Sequence, residues 1–349
     1  MASIHDFNAV EDWRRQQRLD REPLRRLRTA FYKRAQASGA APAALPPDAR
    51  ASFSAAFEFH WLELASRHDS ALDGASKLIF RTRQDLLLEA VILRIGTGRT
   101  SLCVSTQVGC AARCDFCATG RMGIARNLTR DEILDQVVQA RQILVGEGRR
   151  LRNVVFMGMG EPFHNEEHLH AALSVLTDSR AFDLHPGRIM ISTVGIPQAM
   201  VRTARRWPQL RMALSLHSAR PEVRKRLMPI SEKYNLAELR EALAELNAIQ
   251  QQPVMIEYLM LDGLTDREDD AWLLQEYLRG LDVHINLIPF NPIDGAPHLV
   301  ASSPKRQAEF SAVLKSAGYQ VTTRHSLGSD VAAACGQLVR NEHRKRVPC

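Results

Sequence analysis

The sequence predicts an α/β protein, with parallel strands covered by helices, behind a smaller and mostly helical N-terminal region. Three observations carry this. From Thr100 onward, short apolar runs alternate with longer segments of helical apolar spacing, the pattern of successive β-α units. Several apolar runs end in Gly, Asn, Ser or His, and polar residues at the C-terminal ends of parallel strands belong to the functional face of such folds. Residues 1–75 show no such alternation. The alternation alone fits a full barrel, a partial barrel or an open sheet.

In order along the chain, "DREPLRRLRTAFYKRAQ" reads as a basic helix with Leu and Phe on one side. "ASGAAPAALPPDARAS" breaks it as a loop, and "FSAAFEFHWLELASR" is expected as a second helix. "KLIFRT" and "LLLEAVIL" read as two strands of a β extension over residues 76–98. The core, residues 99–338, opens on the strand-like "SLCVST". "LTRDEILDQVVQARQILVG" follows, with Thr129 and then Glu132 as a capping box ahead of a helix. Strands "NVVFMGMG", "RIMISTVG", "RMALSLH", "VMIEYLML", "VHINLIPF" and "YQVTTR" then alternate with helices through "SPKRQAEFSAVLKSAG". Residues 339–349 form a basic tail.

The chain has 349 residues, 45% of them hydrophobic, which allows a large core. No apolar run approaches the roughly 20 residues of a transmembrane helix, and the start lacks a signal-peptide core, so a cytoplasmic protein is expected. The formal charge is +7, from 46 Lys and Arg against 39 Asp and Glu, and Arg dominates. That excess suits a polyanionic partner. Six cysteines, four of them crowded between Cys103 and Cys117, do not form a secreted disulfide scaffold. They point to a metal site or to redox chemistry.

Cys110, Cys114 and Cys117 are spaced C-x3-C-x2-C. Structural zinc wants four ligands, and the fourth would come from afar, from Cys103, His164 or Cys335. Three thiolates also suit three irons of a 4Fe-4S cube, whose fourth iron stays open to a small ligand.

The spacing, with aromatic Phe116 just before the last cysteine, resembles the radical S-adenosylmethionine superfamily, as does "GMGEP" at the end of the next strand. "LCVSTQVGCAARCDFCATG", "VVFMGMGEP", "ISTVG", "SLHS", "LMPI", "YNL", "IEYLMLDG", "INLIPFNP" and "AACGQL" occur in this order. Together they closely resemble the RlmN/Cfr family of radical RNA methyltransferases. The resemblance is dense from about Lys77 to Leu338 and thin before it. It implies a partial (β/α)6 TIM-like barrel with a 4Fe-4S cluster on Cys110, Cys114 and Cys117, and S-adenosylmethionine as methyl donor and radical source. It implies methylation of an adenine ring carbon: C2 of adenosine in 23S rRNA, and in some members transfer RNA, or C8 in Cfr-like members. "GEP" resembles the RlmN side, whereas "CATG" and "NLTRDEILDQ" also resemble the Cfr side.

Carried over by motif, Cys335 is the S-methylcysteine intermediate, Cys103 its transient disulfide partner and Glu89 the proton acceptor. A Glu on an otherwise apolar strand is expensive to bury unpaired, and burial would suit it to take a proton. Gly160, Glu161, Ser192, Ser215, Leu216, His217 and Asn291 are the expected S-adenosylmethionine contacts. Arg25, Arg26, Arg28 and Arg34, Arg121 and Arg126, and the tail residues Arg340, Arg344, Lys345 and Arg346 are candidates to track RNA phosphates. The target adenine must leave its stack to be reached. An electron donor such as flavodoxin or ferredoxin, a monomer and no membrane are expected. The competing class is a non-catalytic RNA-binding protein stabilised by a metal.

Overall fold

A computed structural model describes residues 1–324 and 326–338; the tail candidates Arg340, Arg344, Lys345 and Arg346 lie outside the described residues. The centre is a ten-stranded sheet. Its parallel part runs, in spatial order, Thr100–Cys103, Asn153–Phe156, Ile189–Thr193, Arg211–Ser215, Val254–Met260, Val283–Pro289 and Gln320–Thr323. Leu87–Arg94, Ala75–Arg81 and Glu63–Asp69 extend it as an antiparallel meander beside Thr100–Cys103. Gln320–Thr323 and Glu63–Asp69 end the sheet without pairing to each other, so the wall is a barrel left open.

Helices Arg130–Gly146, Glu166–Thr177, Pro197–Arg206, Leu236–Ile249, Glu268–Leu278 and Pro304–Ser316 follow the first six parallel strands in turn. These are the six expected β/α units, with Gln320–Thr323 as a further parallel strand. The capping box forms as the sequence predicts: the Glu132 N–H donates to Thr129 Oγ1 (3.3 Å) and the Thr129 N–H to the Glu132 carboxylate (2.9 Å). The same device, not anticipated, starts Leu236–Ile249 at Asn235 and Glu238. Val154, Phe156, Ile189, Ile191, Leu214, Ile256 and Ile285 are buried between sheet and helices. Each such side chain contributes roughly 1.5–3 kcal/mol by leaving water.

The N-terminal region forms helices Phe7–Gln16, Arg21–Arg28 with a wider turn Thr29–Lys33, and Pro47–Ala56. An aromatic cluster holds it to the barrel: Tyr32 meets Phe182 edge-on at 5.1 Å, and His5 stacks on Phe182 at 6.4 Å. One expectation is corrected here. The helix expected over "FSAAFEFHWLELASR" starts earlier, at Pro47 inside the expected loop, and stops at Ala56, and Glu63–Asp69 is the edge strand of the sheet. Asp135, on the first barrel helix, accepts the N–H groups of Trp61 (2.7 Å) and Leu62 (2.8 Å), which a helix would have used internally. Its other oxygen bonds His60 Nδ1 at 2.7 Å. The strand that follows is exposed along most of its length, so no buried stripe marks it in the sequence.

Candidate active site

All parallel strands point the same way, so their C-terminal ends form one rim. The cysteine loop leaves that rim after Thr100–Cys103. A small hairpin, Gln107–Gly109 with Ile124–Asn127, brackets it. The Cys110 N–H donates to Gly123 O (2.8 Å), Asp115 N–H to Leu227 O (2.9 Å) and Ala118 N–H to Gly336 O (2.8 Å). Three separate segments therefore shape the loop. Gly109 must be glycine: its φ is +82°, and a Cβ there would lie 2.0 Å from Gly123 O.

Cys110, Cys114 and Cys117 line one cavity of about 150 Å³. Gly160, Glu161, Ser192, Ser215, His217 and Asn291 line it too, and so does Cys335. A second cavity of about 330 Å³ is lined by Cys103, Val91, Leu93 and Leu327, and shares Cys335 and Cys117 with the first. Cys335 thus stands in the wall between the three-thiol cavity and the Cys103 cavity. Asn291 holds its backbone there, donating to Cys335 O (3.1 Å) and to Ser326 Oγ (3.1 Å).

Leu216 is the one expected cofactor contact that lines neither cavity. Its side chain is buried in the core, and its N–H donates to Glu257 O (3.1 Å). Glu89 lines neither cavity but is buried, 6% exposed, on Leu87–Arg94. Strand alternation puts it on the face of Val91 and Leu93, and Val91 pairs directly with Cys103. The Lys77 ammonium is 3.7 Å from its carboxylate.

The glycine-rich segment packs against the continuation of Thr100–Cys103. A Cβ on Gly158 would lie 2.7 Å from Val104 O, and one on Gly160, with φ +99°, would lie 2.6 Å from Gln107 Cβ. Next to it, the Glu161 carboxylate accepts from Thr193 Oγ1 (2.7 Å), the Val194 N–H (2.8 Å) and the Phe163 N–H (3.0 Å). Burial nonetheless pushes its carboxyl up to about 7. His217, at φ +59°, accepts the Leu259 N–H on Nδ1 (3.1 Å) and meets Phe116 edge-on at 4.7 Å. Burial, then Arg224, lowers it to about 3, so it is neutral.

Two residues of the cavity lining escaped the sequence reading. Glu257, 5% exposed, accepts from Ser192 Oγ (2.6 Å), Ser215 Oγ (3.2 Å) and Arg324 Nη1 (3.3 Å), tying three strand ends together. Arg324 lines both cavities. The Cys335 sulfur in its thiolate form, against the opposing effect of burial, and then Glu257 and the Cys103 thiolate raise its guanidinium above the ordinary arginine value. The available signal was a Glu inside the apolar run "VMIEYLML", the argument already applied to Glu89. Arg121 and Arg126, expected to meet phosphates, are engaged by Asp115 (2.5 Å) and Glu132 (2.6 Å).

The donor set fits an iron-sulfur cluster. Three thiols, the soft ligands such a cluster takes, line one cavity. Burial pushes Cys110 up to about 12 and raises Cys114 and Cys117, so a bound cation is what would make them thiolates. Buried Arg224 favours the Cys114 thiolate, and its Nε and Nη1 have no hydrogen-bond partner among the described residues.

An open parallel barrel with a three-cysteine loop at the C-terminal end of its first parallel strand is the architecture of a radical S-adenosylmethionine protein, and the profile described as Radical SAM superfamily matches residues 104–273. A probable RNA methyltransferase of Rhodopirellula baltica is 50% identical over 99% of this chain and 90% of its own. The dual-specificity RNA methyltransferase RlmN of Desulfotalea psychrophila is 40% identical, over 80% of this chain and 78% of its own. A crystal structure of a radical SAM methyltransferase from Sphaerobacter thermophilus superposes with a TM-score of 0.92 at 34% identity, covering 98% of this chain and all of that one. The chain belongs to the RlmN/Cfr family of radical S-adenosylmethionine RNA methyltransferases. Its cofactors are a 4Fe-4S cluster and S-adenosylmethionine.

Proposed function

We propose that this enzyme methylates C2 of adenosine in 23S rRNA, and in transfer RNA, through a methyl group carried on Cys335. The observation that carries the reading is the place of Cys335, shared by the three-thiol cavity and the Cys103 cavity. Adenine C2 is an electron-poor carbon and a weak nucleophile, so direct attack on a sulfonium methyl is unfavourable. Cys110, Cys114 and Cys117 would hold the cluster, which with bound S-adenosylmethionine and one electron from a protein donor would supply a 5′-deoxyadenosyl radical.

As its thiolate, Cys335 takes a methyl group from a first S-adenosylmethionine by displacement, forming a thioether and releasing S-adenosylhomocysteine; a second S-adenosylmethionine is the radical source. Burial raises this thiol and the Arg324 guanidinium acts against that rise, as thiolate chemistry needs. After hydrogen removal, the carrier carbon bonds the adenine ring and tethers the RNA to Cys335. Glu89 takes the ring proton; its burial on the strand beside Cys103 supports this role. The adduct also gives up its odd electron, for which the bound cluster would be the acceptor; the Cys103 thiolate then attacks the Cys335 sulfur, the carbon–sulfur bond breaks with its pair on carbon, a proton completes the methyl group, and the disulfide left behind is reset by cellular reductants. Gly160, Glu161, Ser192, Ser215, His217 and Asn291 hold the S-adenosylmethionine, and Leu216 supports them from the core.

RlmN-named relatives support C2 over C8. A flavodoxin or ferredoxin as electron donor, a monomer and a cytoplasmic location complete the reading; no helix among the described residues is long and apolar enough to cross a membrane. The test is nucleoside mass spectrometry of rRNA and transfer RNA from cells with and without the protein, against 2-methyl- and 8-methyladenosine standards. The reading expects loss of 2-methyladenosine. Loss of the 8-methyl isomer would move the site to C8, and no change in either would overturn the assignment.

A further inference from the structure

Arg224 sits in the short helix Pro221–Leu227, behind the cysteine loop. It is 1% exposed and lines neither cavity, so it stands behind the cavity wall rather than in it. Two bonds fix its place. Its Nη2 donates to Val194 O (2.7 Å), and Val194 lines the three-thiol cavity. One turn further along the helix, Leu227 O accepts the Asp115 N–H (2.9 Å), which pins the helix to the residue after Cys114. Val223 and Leu227 pack in one apolar cluster with Cys110 and Cys114. The guanidinium is therefore held close behind the thiols, on the Cys114 side.

What it lacks is an anion. Nearby Arg220 has Asp270 at 2.8 Å, and Arg324 has Glu257 at 3.3 Å. Arg224 makes no ion pair among the described residues, and its Nε and Nη1 have no hydrogen-bond partner there. Burial lowers it to about 10, so it stays charged at neutral pH. A buried cation without a counter-charge is strongly destabilising. The ionisable groups that favour its charge are Tyr277 and Cys114. Burial raises the Tyr277 phenol, whose hydroxyl donates to Leu236 O (2.9 Å), so it is uncharged. His217 is neutral as well. That leaves Cys114, a thiol until a bound metal makes it a thiolate.

The missing counter-charge matches the cofactor. Three thiolates outweigh the positive charge of an oxidised 4Fe-4S core by one, and one-electron reduction doubles that excess. Net charge around such a cluster is one of the quantities that set its potential. A fixed cation beside it favours the more negative, reduced form. At an effective dielectric of about 20, a unit charge within about 12 Å shifts a one-electron equilibrium about tenfold or more. Arg224 lies one helical turn, about 5 Å along the axis, from the residue bonded to Asp115.

We propose that Arg224 sets the reduction potential of the cluster held by Cys110, Cys114 and Cys117, its buried charge making entry of the electron from the protein donor easier. It acts through the cluster and touches neither RNA nor S-adenosylmethionine. The proposal rests on the assignment of those three thiolates to the cluster.

The test is a mediated potentiometric titration of the anaerobically reconstituted full chain, without RNA or S-adenosylmethionine, with the reduced cluster read by its EPR signal. Wild type is compared with Arg224→Met and Arg224→Gln, which remove the charge, and with Arg224→Lys, which keeps it. At a fixed applied potential the ratio of reduced to oxidised cluster should fall about tenfold in both neutral variants, a midpoint lower by about 59 mV. Arg224→Lys should stay within about threefold of wild type. Neutral variants that lose the cluster while Arg224→Lys retains it would also support the proposal, because the anionic cluster would then need the cation in order to bind. Unchanged midpoints in the neutral variants would overturn it. So would an equal shift, or an equal loss of cluster, in all three variants, since packing rather than charge would then be responsible. A wild-type protein that takes up no 4Fe-4S cluster would overturn the assignment of the three cysteines, and the proposal with it.

Discussion

Glu257 and Arg324 form a half-buried ion pair where three strand ends and two cavities meet, and Glu257→Gln tests what it does. The pair is 3.3 Å apart, with side chains 6% and 22% exposed. Coulomb attraction at that distance is about 5 kcal/mol at an effective dielectric of about 20. Most of it is offset by taking both charges out of water, and Arg324 keeps some solvent through the cavities. Removing one partner of a fully buried pair costs roughly 3–5 kcal/mol; partial exposure brings the expected cost here to about 2 kcal/mol. The amide keeps a carbonyl oxygen for the Ser192 and Ser215 hydroxyls, so the loss is one of charge. The assay is equilibrium urea unfolding of Glu257→Gln, Arg324→Met and the double variant. Each single variant should lose about 2 kcal/mol, and the double should fall short of their sum by about 1.5 kcal/mol or more. Additive losses would show that the two side chains do not act together, and the reasoning would fail.

His5 is buried, bonded to the Tyr32 hydroxyl at 2.9 Å, and lowered by burial to about 3 from 6.5. Between those values the unfolded chain binds a proton that the folded chain refuses, so stability falls as pH drops below 6.5. At pH 5 this amounts to about 2 kcal/mol, and His5→Phe should lose that much less than wild type between pH 7.5 and 5 in urea titrations; equal acid sensitivity would contradict it. Gly160→Ala puts a Cβ 2.6 Å from Gln107, whose side chain accepts the Glu161 N–H (2.8 Å) and donates to Asn127 (2.7 Å). With a left-handed backbone costing a further 1–2 kcal/mol or so, S-adenosylmethionine should bind at least about tenfold more weakly by equilibrium dialysis; unchanged affinity would remove the glycine-rich segment from the cofactor site. Cys103→Ala should stall release and accumulate a covalent protein–RNA adduct, visible as a shifted band on a denaturing gel. Release of free methylated RNA at the wild-type rate would refute the role given to Cys103.

The barrel was readable because its strands are largely buried and appear as mostly apolar runs, such as those of Asn153–Phe156 and, Glu257 apart, Val254–Met260. The capped helix at Thr129 was readable because its signal is local. The edge strand Glu63–Asp69 was not, because its order comes from Asp135, far along the chain, and from its pairing with Ala75–Arg81. The cysteine trio and Cys335 announce themselves by spacing and motif. Glu257 and Arg324 do not, since each acquires its meaning from the other across distant strands. The basic N-terminal faces were visible as composition, but only folding sorts Arg25 and Arg28 into a groove and leaves Arg26 and Arg34 outside its lining.

The relay through Cys335 is tested most directly by isotope. The reconstituted enzyme, with Cys335 methylated from S-adenosylmethionine bearing a fully deuterated methyl group, is given substrate RNA and reductant anaerobically, and both nucleoside and 5′-deoxyadenosine are analysed by mass spectrometry. Hydrogen abstraction from the carrier predicts methyladenosine retaining two of the three deuteriums and 5′-deoxyadenosine carrying the third. Methyladenosine with all three deuteriums, or its formation by a Cys335→Ala variant, would contradict the account.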